Sequence, residues 1–366
     1  MNRELKAKLD RVRSLITATK TEAALIGLQS NFAWLTCGGE SHVALVKRES
    51  SGRLLVTGNE VFLLANAIEA PRLKAEALGP LKAEIETFPW HDGAAGAAAL
   101  KKIVDPKKVI SDIGDWGTKD RSDRFTPLRA QFLPDEIKRY RDLGRDAELA
   151  VNAAAQSVEP GQTEFEIANI IAAAAWSMNL TPVVLLVAVD ERIRKFRHPI
   201  PTEKVMENQA MLVLSARRNG QIAALTRIVH YGKPSPNLRK KHYSVCHVDA
   251  ALQQATCPGK LIRTALDAGI EEYKKQRFPK EWELHHQGGP CGYEGRDFIV
   301  TPDTKGKIME NQPFAWNPSI TGTKSEDTIL ATRKGPEVIT EAKEWPMYQF
   351  ELNGDEFSRP DMLIIE

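Results

Sequence analysis

The sequence predicts a two-domain chain of the α/β (α+β) class, with an N-terminal α/β domain over 1–133 and a C-terminal domain over 134–366 made of duplicated helix–strand units. Three observations carry this expectation. A chain of 366 residues is longer than one ordinary domain requires. Its first third alternates strand-like and helix-like segments. Its second half repeats two short markers in the same order at one spacing.

In the first third, Glu4 to Thr19 has apolar residues at helical spacing and Ala23-Ala-Leu-Ile-Gly-Leu reads as a buried strand. Asn31-Phe-Ala-Trp-Leu-Thr-Cys-Gly-Gly reads as a turn-rich segment, followed by strands at Val43-Ala-Leu-Val and Leu54-Leu-Val-Thr. Helices are expected at about Glu60 to Ala77 and Ala94 to Ile103, then a strand at Val109-Ile-Ser-Asp. Near Pro134-Asp-Glu-Ile a long helix begins that should end at Glu159-Pro-Gly. Thr163 and Glu166 then form the pattern of a capping box for a second helix.

The duplication lies in the second half. Pro160-Gly161 and Pro258-Gly259 each precede a helix, and Met206-Glu-Asn-Gln and Met309-Glu-Asn-Gln each open a strand. Both marker pairs imply a repeat of about 100 residues with pseudo-twofold symmetry. Units of that kind build one shared cleft.

Composition excludes several classes. Lys and Arg number 50 against 48 Asp and Glu, so no charge excess favours nucleic acid or an anionic membrane. No apolar run approaches the roughly 20 residues that span a bilayer. Cys37, Cys246, Cys257 and Cys291 show no CxxC or CxxH spacing, and Met1 to Arg13 lacks the apolar stretch of a signal peptide. A cytoplasmic protein with reduced thiols is expected.

Four segments of the C-terminal half resemble the pita-bread family of methionine aminopeptidase, prolidase, aminopeptidase P and the metal-free amidinohydrolase creatinase. They are Pro160-Gly-Gln-Thr-Glu-Phe-Glu-Ile-Ala, Arg197-His-Pro-Ile-Pro-Thr-Glu-Lys-Val, the pair Met211-Leu-Val-Leu-Ser and Ala223-Ala-Leu-Thr-Arg, and Asn317-Pro with Lys324-Ser-Glu-Asp-Thr-Ile-Leu. In the N-terminal half, Asn31-Phe-Ala-Trp-Leu-Thr resembles the creatinase-like domain of the same family. The resemblance implies a creatinase-like N-terminal domain, a pita-bread C-terminal domain and a homodimer whose segment Cys37-Gly-Gly-Glu-Ser-His reaches the partner's cleft.

The family's dinuclear metal centre uses two aspartates, a histidine and two glutamates. The resemblance places Ser215 and Ala224 on the aspartates, Gly289 on the histidine, and Asn317 and Glu326 on the glutamates. No Asp or Glu lies between Glu207 and Asp249, so a shifted alignment does not recover the pair. One carboxylate cannot hold two divalent ions. A metal-ligand-deficient member is therefore expected, with no metal and no other cofactor. His198, His285, His286, Cys291 and Glu326 match no local metal-binding spacing.

The candidate chemistry rests on histidine. His198 matches the creatinase histidine that moves a proton between water and leaving nitrogen, a task suited to an imidazole. His285 matches a substrate-binding histidine of the aminopeptidase P branch, and His286 lies beside it before a glycine-rich turn. Glu326 could orient His198 or bind a cationic substrate group, or else pair with Arg227 or Lys324. The expected catalytic set is thus His198, His285 and Glu326, with His286, Tyr293, Arg227, Asn317 and Ser215 as substrate contacts. Phe314, Trp316 and Phe298 are core candidates, and no flanking base supports Cys37 or Cys291 as a nucleophile. Thr226 stands where creatinase has a substrate-binding glutamate, which argues against creatine. Two functions remain: a metal-independent hydrolase of a C–N bond in a small molecule or short peptide, or a non-catalytic relative that binds a peptide, metabolite or protein.

Overall fold

The computed structural model describes residues 2–366 and divides into two units, Met1–Glu136 with Asn219–Gln221, and Ile137–Arg218 with Ile222–Glu366. In the first unit the apolar run at Ala23 forms β1 (Ala23–Leu28), buried at the centre of a six-stranded sheet. Its companions are β2 (Glu49–Thr57), β3 (Val61–Asn66), β4 (Glu84–Phe88), β5 (Val109–Ser111) and β6 (Lys119–Asp120), in the order β4-β3-β2-β1-β5-β6. β1 runs antiparallel to β2 and parallel to β5. The helix Arg3–Thr19 turns Leu5, Leu9, Val12 and Ile16 inward, and the Asn2 side chain caps it by accepting from the Glu4 and Leu5 amides.

Three expected elements differ. The segment expected as one helix from Glu60 contains β3, paired antiparallel with β2 at Leu54–Leu63, and only then short helical turns at Ala70–Arg72 and Leu73–Ala77. An apolar run fits either period, and Pro71 breaks a helix drawn through it. The Asn31 segment is a helix, Gln29–Leu35. Asn31 does not turn the chain; its amide donates to Asp112 at 2.7 Å and its oxygen accepts from Arg129 at 2.8 Å. Val43-Ala-Leu-Val is turn rather than strand, with Val46 94% exposed, because no neighbouring strand pairs with it.

The second unit contains β7 (Thr181–Val189), β8 (Gln209–Arg218), β9 (Gln221–Tyr231, its first residue grouped with the other unit), β10 (Gly288–Pro290), β11 (Gln312–Trp316) and β12 (Ser319–Ile320). β13 (Thr323–Lys324), β14 (Asp327–Thr332), β15 (Gly335–Val338), β16 (Met347–Leu352), β17 (Asp355–Pro360) and β18 (Leu363–Ile365) complete it. Two four-stranded sheets, β18-β9-β8-β7 and β10-β11-β14-β15, meet where Thr226 bridges Glu326. Asn219 and Gly220 both adopt positive φ, the geometry of a tight two-residue turn between β8 and β9. The capping box at Thr163 and Glu166 opens the helix Glu164–Ser177.

The duplication is visible in matching backbone bonds. Gly161 N–H donates to Met206 O at 2.9 Å, and Gly259 N–H donates to Ile308 O at 2.8 Å. The return bonds, Met206 N–H to Gln162 O and Ile308 N–H to Lys260 O, also match. Both glycines have positive φ, which favours glycine at the turn. Met206 thus corresponds to Ile308 and not to Met309, a one-residue slip absorbed before the strands begin. Among the described residues no helix is long and apolar enough to cross a membrane, and the four cysteines are free.

Candidate functional site

His198 lies on the irregular segment between the helix Glu191–Lys195 and β8, and Pro199 disfavours helical backbone before it. His285 and His286 follow the single turn Glu281–Leu284 and lead into β10. Although His198 lies 87 residues before His285 in sequence, the three rings meet. His285 Nε2 lies 3.1 Å from His198 Nε2, and the ring centres are 4.7–5.3 Å apart. One nitrogen from each ring falls within 4.8 Å of the others, close enough for a shared metal ion. The Nδ1 atom of His286 is buried with no hydrogen-bond partner. A cavity of about 350 Å³ opens beside His285 and His286, walled by Leu266, Trp282, Ile299 and Val300.

The cluster is held from behind. Arg197 donates to Ser319 Oγ at 3.1 Å, to Thr321 Oγ1 at 2.9 Å and to Glu281 at 2.6 Å. Ser319 Oγ also lies 3.1 Å from His285 Nδ1. With two lone pairs and one proton, this hydroxyl can accept from a protonated Nδ1 or donate to a bare one. In both tautomers a single proton sits between the two Nε2 atoms. Burial pushes His285 down to about 2 and His286 to about 4, assisted by Lys324 at the first and Arg296 at the second. Burial and Lys324 also lower His198. All three shifts favour the neutral imidazole.

Glu326 stands beside them. Its Oε2 accepts from Lys324 Nζ at 2.6 Å and Thr226 Oγ1 at 2.7 Å, and its Oε1 from Arg296 at 3.0 Å. Burial alone would raise this carboxyl, but Lys324 and Arg296 outweigh burial and hold it at about 2. No hydrogen bond joins Glu326 to His198 among the described residues; it acts on the ring through charge. Strand alternation turns Lys324 and Glu326 to one face and Ser325 and Asp327 to the other. There Asp327 accepts from Arg227, Thr340 and Arg359, and Ser325 donates to Asp249.

The other expected contacts divide. Arg227 is spent on Asp327 at 3.0 Å and on the carbonyls of Thr226 and Thr340, and does not face the histidines. Asn317 is buried with its Oδ1 unpartnered, above Gly288, and its amide N–H donates to Gln287 O. Ser215 is buried in β8 opposite Val184, and Tyr293 is buried in the glycine turn. Ala224 packs with Cys291 and Ala315. Gly289 has no room for a side chain, since a Cβ there would lie 2.5 Å from Phe298 O. Phe314 and Trp316 belong to the core with Val245 and Leu252. Burial pushes the Cys291 thiol up to about 12, against thiolate chemistry.

In the sequence Lys324 stands only as one possible partner for Glu326, and Arg197 only as the residue before His198. Their signal was alternation along a strand and adjacency to a candidate histidine, but partners so far apart in sequence carry no spacing motif.

The metallopeptidase family M24 model matches residues 138–333. The chain is 23% identical to an Xaa-Pro dipeptidase of Pyrococcus furiosus, across 80% of this chain and 88% of that protein. Its fold superposes on an Xaa-Pro dipeptidase from Bacillus anthracis with a TM-score of 0.79 at 18% identity, covering 99% of this chain and 100% of the other. A prolidase from Pyrococcus horikoshii gives 0.78 at 18% identity, covering 92% and 98%. With the model matching more than half of its length, on the pita-bread fold of the prolidases, this chain belongs to metallopeptidase family M24.

Proposed function

We propose that this chain is a hydrolase of the Xaa-Pro dipeptidase type, acting on a C–N bond in a short peptide or small amide through His198 and without the family's metal pair. The 3.1 Å contact between His198 and His285 carries the reading.

The family name implies bound metal, and the side chains at the matching positions do not suit it. Ala224 offers no ligand and lies in an apolar pocket. Gly289 stands too close to the Phe298 carbonyl for an imidazole. Both Glu326 oxygens are already bound by Lys324, Arg296 and Thr226, so two cationic side chains supply positive charge at this carboxylate.

When His285 Nδ1–H donates to Ser319, its bare Nε2 accepts the Nε2–H of His198. That leaves His198 Nδ1 with a lone pair for substrate, and His285 orients the base much as a third group orients a catalytic histidine elsewhere. A water gives its proton to His198 Nδ1 while its oxygen bonds to the amide carbon. The negative oxygen that forms meets Lys324, which uses only one donor on Glu326, and Arg296, whose Nε is buried without a partner. His198 then passes the proton to the leaving nitrogen as the C–N bond breaks, which releases an acid and an amine.

The test is a panel of Xaa-Pro dipeptides and small amides. Hydrolysis that falls at least about 100-fold in His198→Ala supports the reading, and equal turnover by the variant overturns it. No turnover on any substrate would favour the non-catalytic binding function instead.

A further inference from the structure

We infer that His198, His285 and His286 form a mononuclear site for a borderline transition-metal ion such as zinc, and that loading it withdraws His198 from proton transfer. The second half of this inference rests on the hydrolase reading above; the first does not. This site is separate from the positions matching the family's metal pair, none of which contributes a ligand.

Geometry supplies the first argument. In a tetrahedral zinc site with nitrogens about 2.0–2.1 Å from the metal, ligand atoms are about 3.3 Å apart. The two Nε2 atoms are already at 3.1 Å, and the three ligand nitrogens lie within 4.8 Å of one another. The remaining approach is about 1.5 Å. It falls to the partly buried His286, because the exposed His198 and the buried His285 already stand at that separation.

Unfilled hydrogen-bonding capacity supplies the second. The Nδ1 of His286 is buried without a partner, which costs stability unless a ligand fills it. His285 has the outer support that metal-bound histidines typically use: its far nitrogen meets Ser319, which Arg197 holds in turn.

Chemistry selects the ion. Three imidazoles suit zinc, copper, nickel or cobalt, while calcium and magnesium require oxygen ligands. Lys324 and Arg296 exceed Glu326 by one positive charge, so the fourth ligand is expected to be an anion such as hydroxide or chloride. The proton now shared by the two Nε2 atoms and the metal compete for the same lone pairs. With Nε2 on the metal, a neutral His198 carries its proton on Nδ1, and the base of the hydrolytic step is gone.

The experiment is equilibrium dialysis of chelator-treated full-length protein against zinc chloride, with bound zinc read by elemental analysis, and a cobalt(II) titration followed by visible absorption. One zinc per chain, a tetrahedral cobalt spectrum, and at least tenfold weaker binding in His286→Ala and in His198→Ala are expected. No bound zinc in the wild type, or one zinc retained in both variants, overturns the site whatever the folding of either variant. Zinc should also suppress hydrolysis in proportion to occupancy. Binding together with zinc-stimulated hydrolysis would keep the metal site and overturn the metal-free hydrolase reading, whereas hydrolysis without zinc binding would do the reverse.

Discussion

Lys324 Nζ lies 2.6 Å from Glu326 Oε2, both side chains are buried, and Arg296 reaches the other oxygen of the same carboxylate at 3.0 Å. Glu326 is therefore a buried carboxylate held by two protein cations. Removing one partner leaves a buried charge short of its counter-ion. Lys324→Met should cost about 3 kcal/mol in urea denaturation. Glu326→Gln should cost less in that background than in the wild type, with a coupling of at least about 1 kcal/mol in the double-mutant cycle. Strictly additive costs would show that the pair is not the unit described.

Arg296 offers a different readout. Its buried Nε has no hydrogen-bond partner among the described residues. If a negative oxygen develops there, Arg296→Gln should lower kcat by about 100- to 1000-fold while KM changes little. A rise in KM with kcat unchanged would instead assign Arg296 to ground-state binding.

Acid should destabilise the protein through its buried histidines. His242 is fully buried between Thr323 Oγ1 at 2.8 Å and Pro360 O at 3.1 Å, and burial lowers it. His285 is pushed down to about 2 by burial and Lys324. Because the folded values lie below the unfolded value of about 6.5, the unfolded chain binds more protons in acid and stability falls as pH drops below about 6.5. For His285 the window runs from there to about 2. Each histidine contributes at most about 1.4 kcal/mol per pH unit. With chelator present, His242→Gln should flatten the slope by about one proton; an unchanged slope would mean that His242 does not titrate on unfolding.

The glycine turn makes a packing prediction. A Cβ on Gly289 would meet the backbone oxygen of Phe298 at 2.5 Å, and one on Gly288 would meet that of Ala315 at 2.1 Å with φ at +102°. Gly289→Ala should cost about 1–3 kcal/mol, and Gly288→Ala more. Thermal denaturation that finds Gly289→Ala neutral would show that the Phe298 backbone gives way and that a side chain fits there.

Much of this was legible in the sequence, for identifiable reasons. The Pro-Gly and Met-Glu-Asn-Gln markers sit at turns whose backbone bonds the fold repeats, so the duplication was carried by local geometry. The resemblance singled out His198 and His285, and the fold brings them into contact. The strand at Val61 was hidden because an unbroken apolar run has no distinguishing period, although Pro71 marked the limit of a helix. Arg227 and Arg296 could not be told apart by sequence. Arg227 lies on β9 and turns to Asp327 behind the sheet, while Arg296, on the irregular segment between β10 and β11, reaches Glu326. The three-histidine cluster shows no local spacing motif, because it depends on the segment of His198 meeting that of His285 and His286, 87 residues further along the chain.

The most direct measurement is hydrolysis of the dipeptide and amide panel by protein freed of metal with a chelator, with metal content determined on the same sample. Turnover that persists without metal and is lost in His198→Ala is the predicted result. Turnover that appears only with two metal ions per chain would contradict the account, which proposes that Ala224, Gly289 and the ion-paired Glu326 do not hold that pair.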